Sequence, residues 1–262
     1  MFYAIWGVRY GSAVPEAMEL IQLRNDAEDE LYMGNFKIRI AARFFMGGSN
    51  GNAITFKDGE TEKKLPFMRQ ESGARLSLCD FVAPEASGAR SPFGMFAVSV
   101  HTTSKTHEEG CCCPACSNRY EDLIGKTVRL TLAEAASCWL DRKIQEEMKE
   151  TAVKVIKPAA GYASCPDHTL KEDILKLLGE DVHPHDCHGH HCNCNHSDEG
   201  LGISLTESYA MTPEASICGL IFMHPDARYP DIRRISREQY DEYALQRGMS
   251  EETARRFLGH LL

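Results

Sequence analysis

The sequence lacks an excess of positive charge. Its 29 Lys and Arg stand against 38 Asp and Glu, for a formal net charge of −9. That balance excludes the nucleic-acid backbone and an anionic membrane as primary partners, since both select clustered Lys and Arg. The one place where basic residues gather, Arg228, Arg233 and Arg234, is too small to reverse it. Also missing is any apolar run near the ~20 residues of a membrane span. The first residues, Met1 to Glu16, hold no basic stretch leading into an apolar one, so no secretory leader is expected there and a cytoplasmic location is. A regular disulfide framework is lacking too. The eleven cysteines are bunched within 262 residues, which favours free thiols or metal ligands. A hydrophobic content of 43% suffices for a full core, in one large domain or two small ones.

What is present is a mixture of helical and strand periods with no βαβ rhythm and no fixed repeat. Pro15 opens a predicted helix over 15–33, with Met18, Ile21 and Leu31 on its apolar side. Strand alternation runs from Phe36 to Phe45, placing Ile38, Ile40, Ala42 and Phe44 on one face. The Gly-rich stretch 47–52 predicts a turn, with a returning strand over 53–56. Further strands are expected at 76–82, 95–100, 203–211 and 217–223. Ile124, Val128, Leu132, Ala135 and Trp139 recur at steps of three and four and predict a long helix over 120–149. Thr169 with Glu172 reads as a capping box before a short helix stopped by Gly179. Ser236 with Gln239, and Ser250 after Gly248, mark the starts of two last helices. The fold class expected is α+β, helices flanking a twisted, mostly antiparallel sheet.

The segment Lys157-Pro158-Ala159-Ala160-Gly161-Tyr162, followed by Cys165-Pro166-Asp167-His168-Thr169, is a loop of small residues entering a capped helix. Such a loop lets a ligand approach the backbone closely, though alone it reads more readily as an ordinary connection. Together with Leu205 to Met211, Ala215-Ser216, His224-Pro225-Asp226 and Gln239 to Ala244, it resembles the activation domain of cobalamin-dependent methionine synthase. Arg69-Gln70, Leu78 to Pro84 and Leu132 to Ala135 match upstream in the same order, as do Phe2 to Trp6 and Ala42 to Gly51. Collinear blocks over nearly the whole chain are far more specific than one short motif.

The resemblance implies one curved α+β domain over 1–262 that binds S-adenosylmethionine. It implies docking on cobalamin-binding modules of methionine synthase and reductive remethylation of their cobalamin, with electrons from a flavodoxin-type reductant. By position, Asp80 and Glu134 face the amino-acid end of the ligand and Lys157 takes its carboxylate. Ala159, Gly161 and Tyr162 give backbone and ring contacts, and Tyr229 contacts the ligand from the C-terminal half. A carboxylate, an ammonium and a sulfonium together call for one basic group and several acidic or carbonyl groups. Taken singly, Asp80 also reads as a turn cap, Glu134 as a solvated helix residue, and Tyr162 and Tyr229 as core aromatics. No nucleophile–base pair is evident, as expected of an accessory that works by positioning.

Three features depart from the family pattern. Lys157 stands where the loop usually has Arg, and a lysine cannot present a planar fork to a carboxylate. The stretch from Asp141 to Lys157 is about a dozen residues short, leaving Glu150 as the nearest candidate for a further acidic contact. An insertion at about 181–200 brings six histidines and three cysteines into fourteen residues: His183, His185, Cys187, His188, His190, His191, Cys192, Cys194 and His196. Imidazole and thiolate are the preferred ligands of zinc, and Cys113 with Cys116 forms a second cluster. The spacing is irregular, so a metal site stands beside a polar loop, and a metal-binding or redox-sensing protein is the alternative reading.

Overall fold

The computed structural model describes residues 36–102, 120–149, 151, 153–180 and 200–262, together with 18, 21, 22, 24, 25 and 29. These last six are helical and fall within the helix expected over 15–33. The strands are β1 (Phe36–Asn50), β2 (Ala53–Asp58), β3 (Thr61–Pro66), β4 (Ser91–Thr102), β5 (Lys154–Ile156), β6 (Ser204–Leu205), β7 (Met211–Thr212) and β8 (Ser216–His224). The helices are α1 (Tyr120–Glu147), α2 (Leu170–Leu177), α3 (Arg237–Gln246) and α4 (Glu251–Leu258). Six strands form one sheet in the order β3-β2-β1-β4-β8-β5, and β6 pairs with β7 apart from it. β1 with β2, β2 with β3, and β5 with β8 are antiparallel, so the architecture is α+β as the sequence predicts.

The chain falls into two compact units, one of residues 41–97, 141–182 and 218–262, the other of residues 1–40, 98–140 and 183–217. The core of the first is aromatic. Phe45, Phe56 and Phe93 lie with ring centroids 4.9 to 5.8 Å apart. Phe222 of β8 extends the cluster to Phe93, Phe67 and Phe81 at 6.1 to 6.4 Å. Edge and tilted contacts at such distances add to the area each ring buries. In the second unit, Ser99 Oγ donates to the Leu201 carbonyl at 2.6 Å, and Val100 N donates to that of Ala215 at 3.0 Å. Ile124, Val128, Ala133 and Ala136 supply the buried side of α1 in that unit.

Four expectations are corrected. Residues 76–82 are not a strand: Leu78–Phe81 is a 3-10 turn, because Asp80 Oδ2 accepts from Ser77 N at 2.9 Å and curls the chain back. The span 203–211 is two short strands, β6 and β7, split by a turn in which Tyr209 takes a left-handed φ of 57°. The buried stripe of α1 moves off the expected one beyond Val128. Ala133, Ala136 and Leu140 are buried, whereas Ala135 and Trp139 are exposed. Thr169 does not cap α2 with its side chain; its Oγ1 donates to Asp167 at 2.7 Å instead. The caps at Ser236 and Ser250 are present, accepting from Gln239 N and Thr253 N. Ile38, Ile40 and Phe44 share one face of β1, and that face is exposed.

Candidate functional site

The loop that follows β5 is an extension of the sheet before it is a turn. β5 pairs Ile156 with Phe222 of β8, and past its end Leu220 N still donates to the Pro158 carbonyl at 3.0 Å. Ala159 bridges to Gly219. A Cβ at Gly219 would come within 2.5 Å of the Pro158 oxygen, so only glycine lets the loop lie so close to the strand. The chain then leaves the sheet at Gly161, whose φ of 93° is open to glycine and costly for other residues. Gly161 N donates to the Cys165 carbonyl, and Cys165 N to that of Tyr162, each at 2.7 Å. This small closed turn pushes the Tyr162 ring outward, leaving the residue 71% exposed. Ala159, Gly161 and Tyr162 are thus held as one rigid edge.

Lys157 and Tyr229 meet at the base of this loop. The Tyr229 hydroxyl accepts from the Lys157 backbone N–H at 3.0 Å, which tethers a half-exposed ring beside the loop. The Lys157 side chain turns inward and is only 6% exposed. Its ammonium lies 3.3 Å from Asp141 Oδ1. It also stands 4.6 Å from the centroid of the Phe96 ring, within range of a cation–π attraction. Asp141 and Phe96 are partners that the sequence reading missed. A cation at the end of β5 needs a counter-charge once buried, but nothing in the local pattern names which acid supplies it.

Asp80 stands on the 3-10 turn and is gripped by Arg69. Two guanidinium nitrogens reach its two oxygens at 2.5 and 2.7 Å, a bidentate fork. This hydrogen bonding raises the Arg69 pKa further, so the arginine stays charged. Arg69 is itself fixed from α3. Gln239 Oε1 accepts from Arg69 N at 2.5 Å, and Gln239 Nε2 donates to the Arg69 carbonyl at 3.1 Å. Phe81 and Ile156 both meet Phe222, the first by its ring and the second by strand register. Asp80 and Lys157 are each one residue from that meeting point. Their side chains are already ion-paired, to Arg69 and Asp141.

Behind the loop lies a buried polar knot. Asp167 is 1% exposed and accepts from the Tyr243 hydroxyl at 2.8 Å, Arg247 Nε at 3.2 Å, and both the N–H and Oγ1 of Thr169. Arg247 also reaches Asp173 at 2.6 Å. Burial first, and the Asp167 charge second, push the Tyr243 phenol well up, so it donates rather than ionises. The knot joins the loop to α2 and α3 with every polar atom named here hydrogen-bonded, the condition under which buried polar groups are stable.

Glu134 belongs to the unit of residues 98–140 and is exposed on α1. The candidate metal ligands at 183–196, with Cys113, Cys116 and Glu150, lie outside the described residues. Among the described residues no group of three or more His, Cys, Asp or Glu is arranged to hold a metal ion, and no helix is long and apolar enough to cross a membrane.

The family described as "Vitamin B12 dependent methionine synthase, activation domain" matches residues 12–248 of this sequence. A crystal structure of the MetH reactivation domain bound to AdoHcy superposes with a TM-score of 0.78 at 28% identity, over 100% of this chain and 84% of that one.

Proposed function

As the chain belongs to the vitamin B12-dependent methionine synthase activation domains, we propose that it binds S-adenosylmethionine on the Lys157–Tyr162 loop and presents it to a cobalamin-bearing partner. The observation that carries this reading is the loop itself: a closed turn at Gly161, seated on β8 through Gly219, with Tyr162 and Tyr229 standing out of it. Exposed rings held by backbone hydrogen bonds can accept an adenosyl group with little ordering cost. The solved relative carries AdoHcy, which shares every group of S-adenosylmethionine except the transferable methyl.

The donor set fits such a ligand. Asp80, oriented by Arg69, takes the α-ammonium. Lys157 supplies the cation for the carboxylate. Ala159, Gly161 and Tyr162 read the rest through backbone and ring, with Tyr229 on the far side. S-adenosylmethionine supplies an electrophilic methyl group, and the partner's cobalamin receives it. The residues of this chain bind and orient the donor, which is catalysis by proximity and needs no side-chain base. Electrons come from a flavodoxin-type reductant.

Isothermal calorimetry with S-adenosylmethionine tests the reading. Saturable one-site heat is expected, weakened about tenfold or more in Asp80→Asn, the cost of losing one charge-assisted hydrogen bond. Folded protein that releases no heat at millimolar ligand overturns it. The His/Cys-rich segment is read as an accessory zinc site beside this function, supported by nine ligand-type side chains within fourteen residues.

A further inference from the structure

Under the turn at Gly161 sits a pair of basic side chains that ligand binding does not use. Lys171, on the first turn of α2, is buried, and its ammonium lies 3.2 Å from Nδ1 of His168. An ammonium can only donate, so Nδ1 offers its lone pair and the imidazole proton sits on Nε2. The edge of the ring that carries Nδ1 and Cε1 is pressed against Gly161. A Cβ placed on that glycine would overlap both atoms, so the imidazole fills the volume a side chain at position 161 would occupy. Phe257 of α4 stands beside the ring, tilted against it, at a centroid distance of 6.5 Å.

The charges around His168 come from every neighbouring element. Burial holds its pKa below the ordinary histidine value. Lys171 from α2 and His260 after α4 lower it further, while Asp167 in the loop works against them. Lys171 is in turn depressed by burial, with the Cys218 thiol of β8 near it. A proton added at Nδ1 would remove the lone pair that Lys171 uses and set two cations 3.2 Å apart. Either the ammonium withdraws or the ring swings, and the ring cannot swing toward Gly161 without moving the loop.

We propose that neutral His168 is the wedge that fixes the Gly161 turn, so that protonating it loosens the turn and weakens binding of S-adenosylmethionine. The ligand half of this rests on the function proposed above; the wedge itself does not. His168 is a positioning residue, acting through Gly161.

The test has two arms on the full chain. In the free protein, NMR titration should move the Gly161 and Tyr162 amide signals with the midpoint of the His168 ring, assigned by its loss in His168→Asn. Amides that stay still while the ring titrates overturn the wedge, whatever the ligand does. In the second arm, calorimetry with S-adenosylhomocysteine should show affinity falling as the pH drops through the His168 midpoint read in the first arm, approaching about tenfold well below it, the effect of one unit of pKa coupling. His168→Asn keeps an acceptor for Lys171 and cannot take the proton, but its shorter side chain leaves the space against Gly161 unfilled, so its affinity should lie below wild type at the upper end and stay flat over that range. A wild-type affinity that does not change with pH, or a variant that keeps the wild-type slope, overturns the coupling. If neither protein binds at the upper pH while the amides follow His168, the binding proposal fails and the wedge stands.

Discussion

At the scale of single residues, the buried Asp167 carboxylate is held by four hydrogen bonds. It is 1% exposed, and Tyr243, Arg247 and Thr169 all direct hydrogens at it. Asp167→Asn leaves Arg247 largely buried with Asp173 as its one remaining carboxylate, and is expected to cost about 3 kcal/mol in urea unfolding. Tyr243→Phe removes one donor and should cost about 1 kcal/mol in the same assay, since the larger loss follows the buried charge that loses one of its two carboxylates. Gly161→Ala meets both a φ of 93° and the His168 ring. Strain of this kind runs to about 1–3 kcal/mol, so the melting temperature should drop, and ligand affinity with it. These three contrasts are read from contacts, and the loop motif alone carries only part of them. The turn at Gly161 was legible from the glycine and proline of its loop. Asp141, Phe96 and Arg247 were not, because their partners are brought to them by tertiary packing between separate segments of the chain.

At the scale of elements, legibility follows the strength of the local rule. Ser236 and Ser250 announce α3 and α4, and in both the hydroxyl accepts the expected N–H. Ser236→Ala and Ser250→Ala should each lower stability by about 1 kcal/mol, read by thermal melting. Thr169→Ala tests the opposite case. Its hydroxyl caps nothing but joins Asp167 to Arg247, so its loss should be rescued poorly by Ser250-type capping residues placed at 169 such as Asn. The buried centres of β4 and β8 were readable as the short apolar runs 95–100 and 217–223, though β4 extends beyond its run at both ends. The segment 76–82 misled because Leu76, Leu78 and Val82 alternate like a strand. Asp80 breaks that period by bonding back to Ser77 N, a side-chain contact that outweighs hydrophobic alternation. On α1 the periodicity located the helix and the first part of its buried side, Ile124 and Val128, but not the later part, where Trp139, the largest residue of the predicted stripe, is exposed.

At the scale of the whole molecule, acid and metal are the two informative perturbations. The folded pKa of His168 lies below its unfolded value of 6.5, so on acidification the unfolded chain takes up the proton first. Its contribution to stability is therefore complete above that value and is lost as the pH falls through the window beneath it, in line with proton linkage. The melting temperature should decline in that range, and decline less in His168→Asn. Deleting residues 183–196 should remove any zinc found by elemental analysis of untagged protein while leaving affinity for S-adenosylmethionine unchanged; a lost affinity would make that segment part of the ligand site. The inward-turned Lys157 has a consequence for how the whole protein responds to its ligand. Its ammonium already holds one carboxylate, that of Asp141, so an arriving α-carboxylate would exchange for a resident one. The protein would carry its own competitive inhibitor. Asp141→Asn should then bind S-adenosylmethionine several-fold more tightly than wild type by calorimetry, and the gain should shrink with added salt.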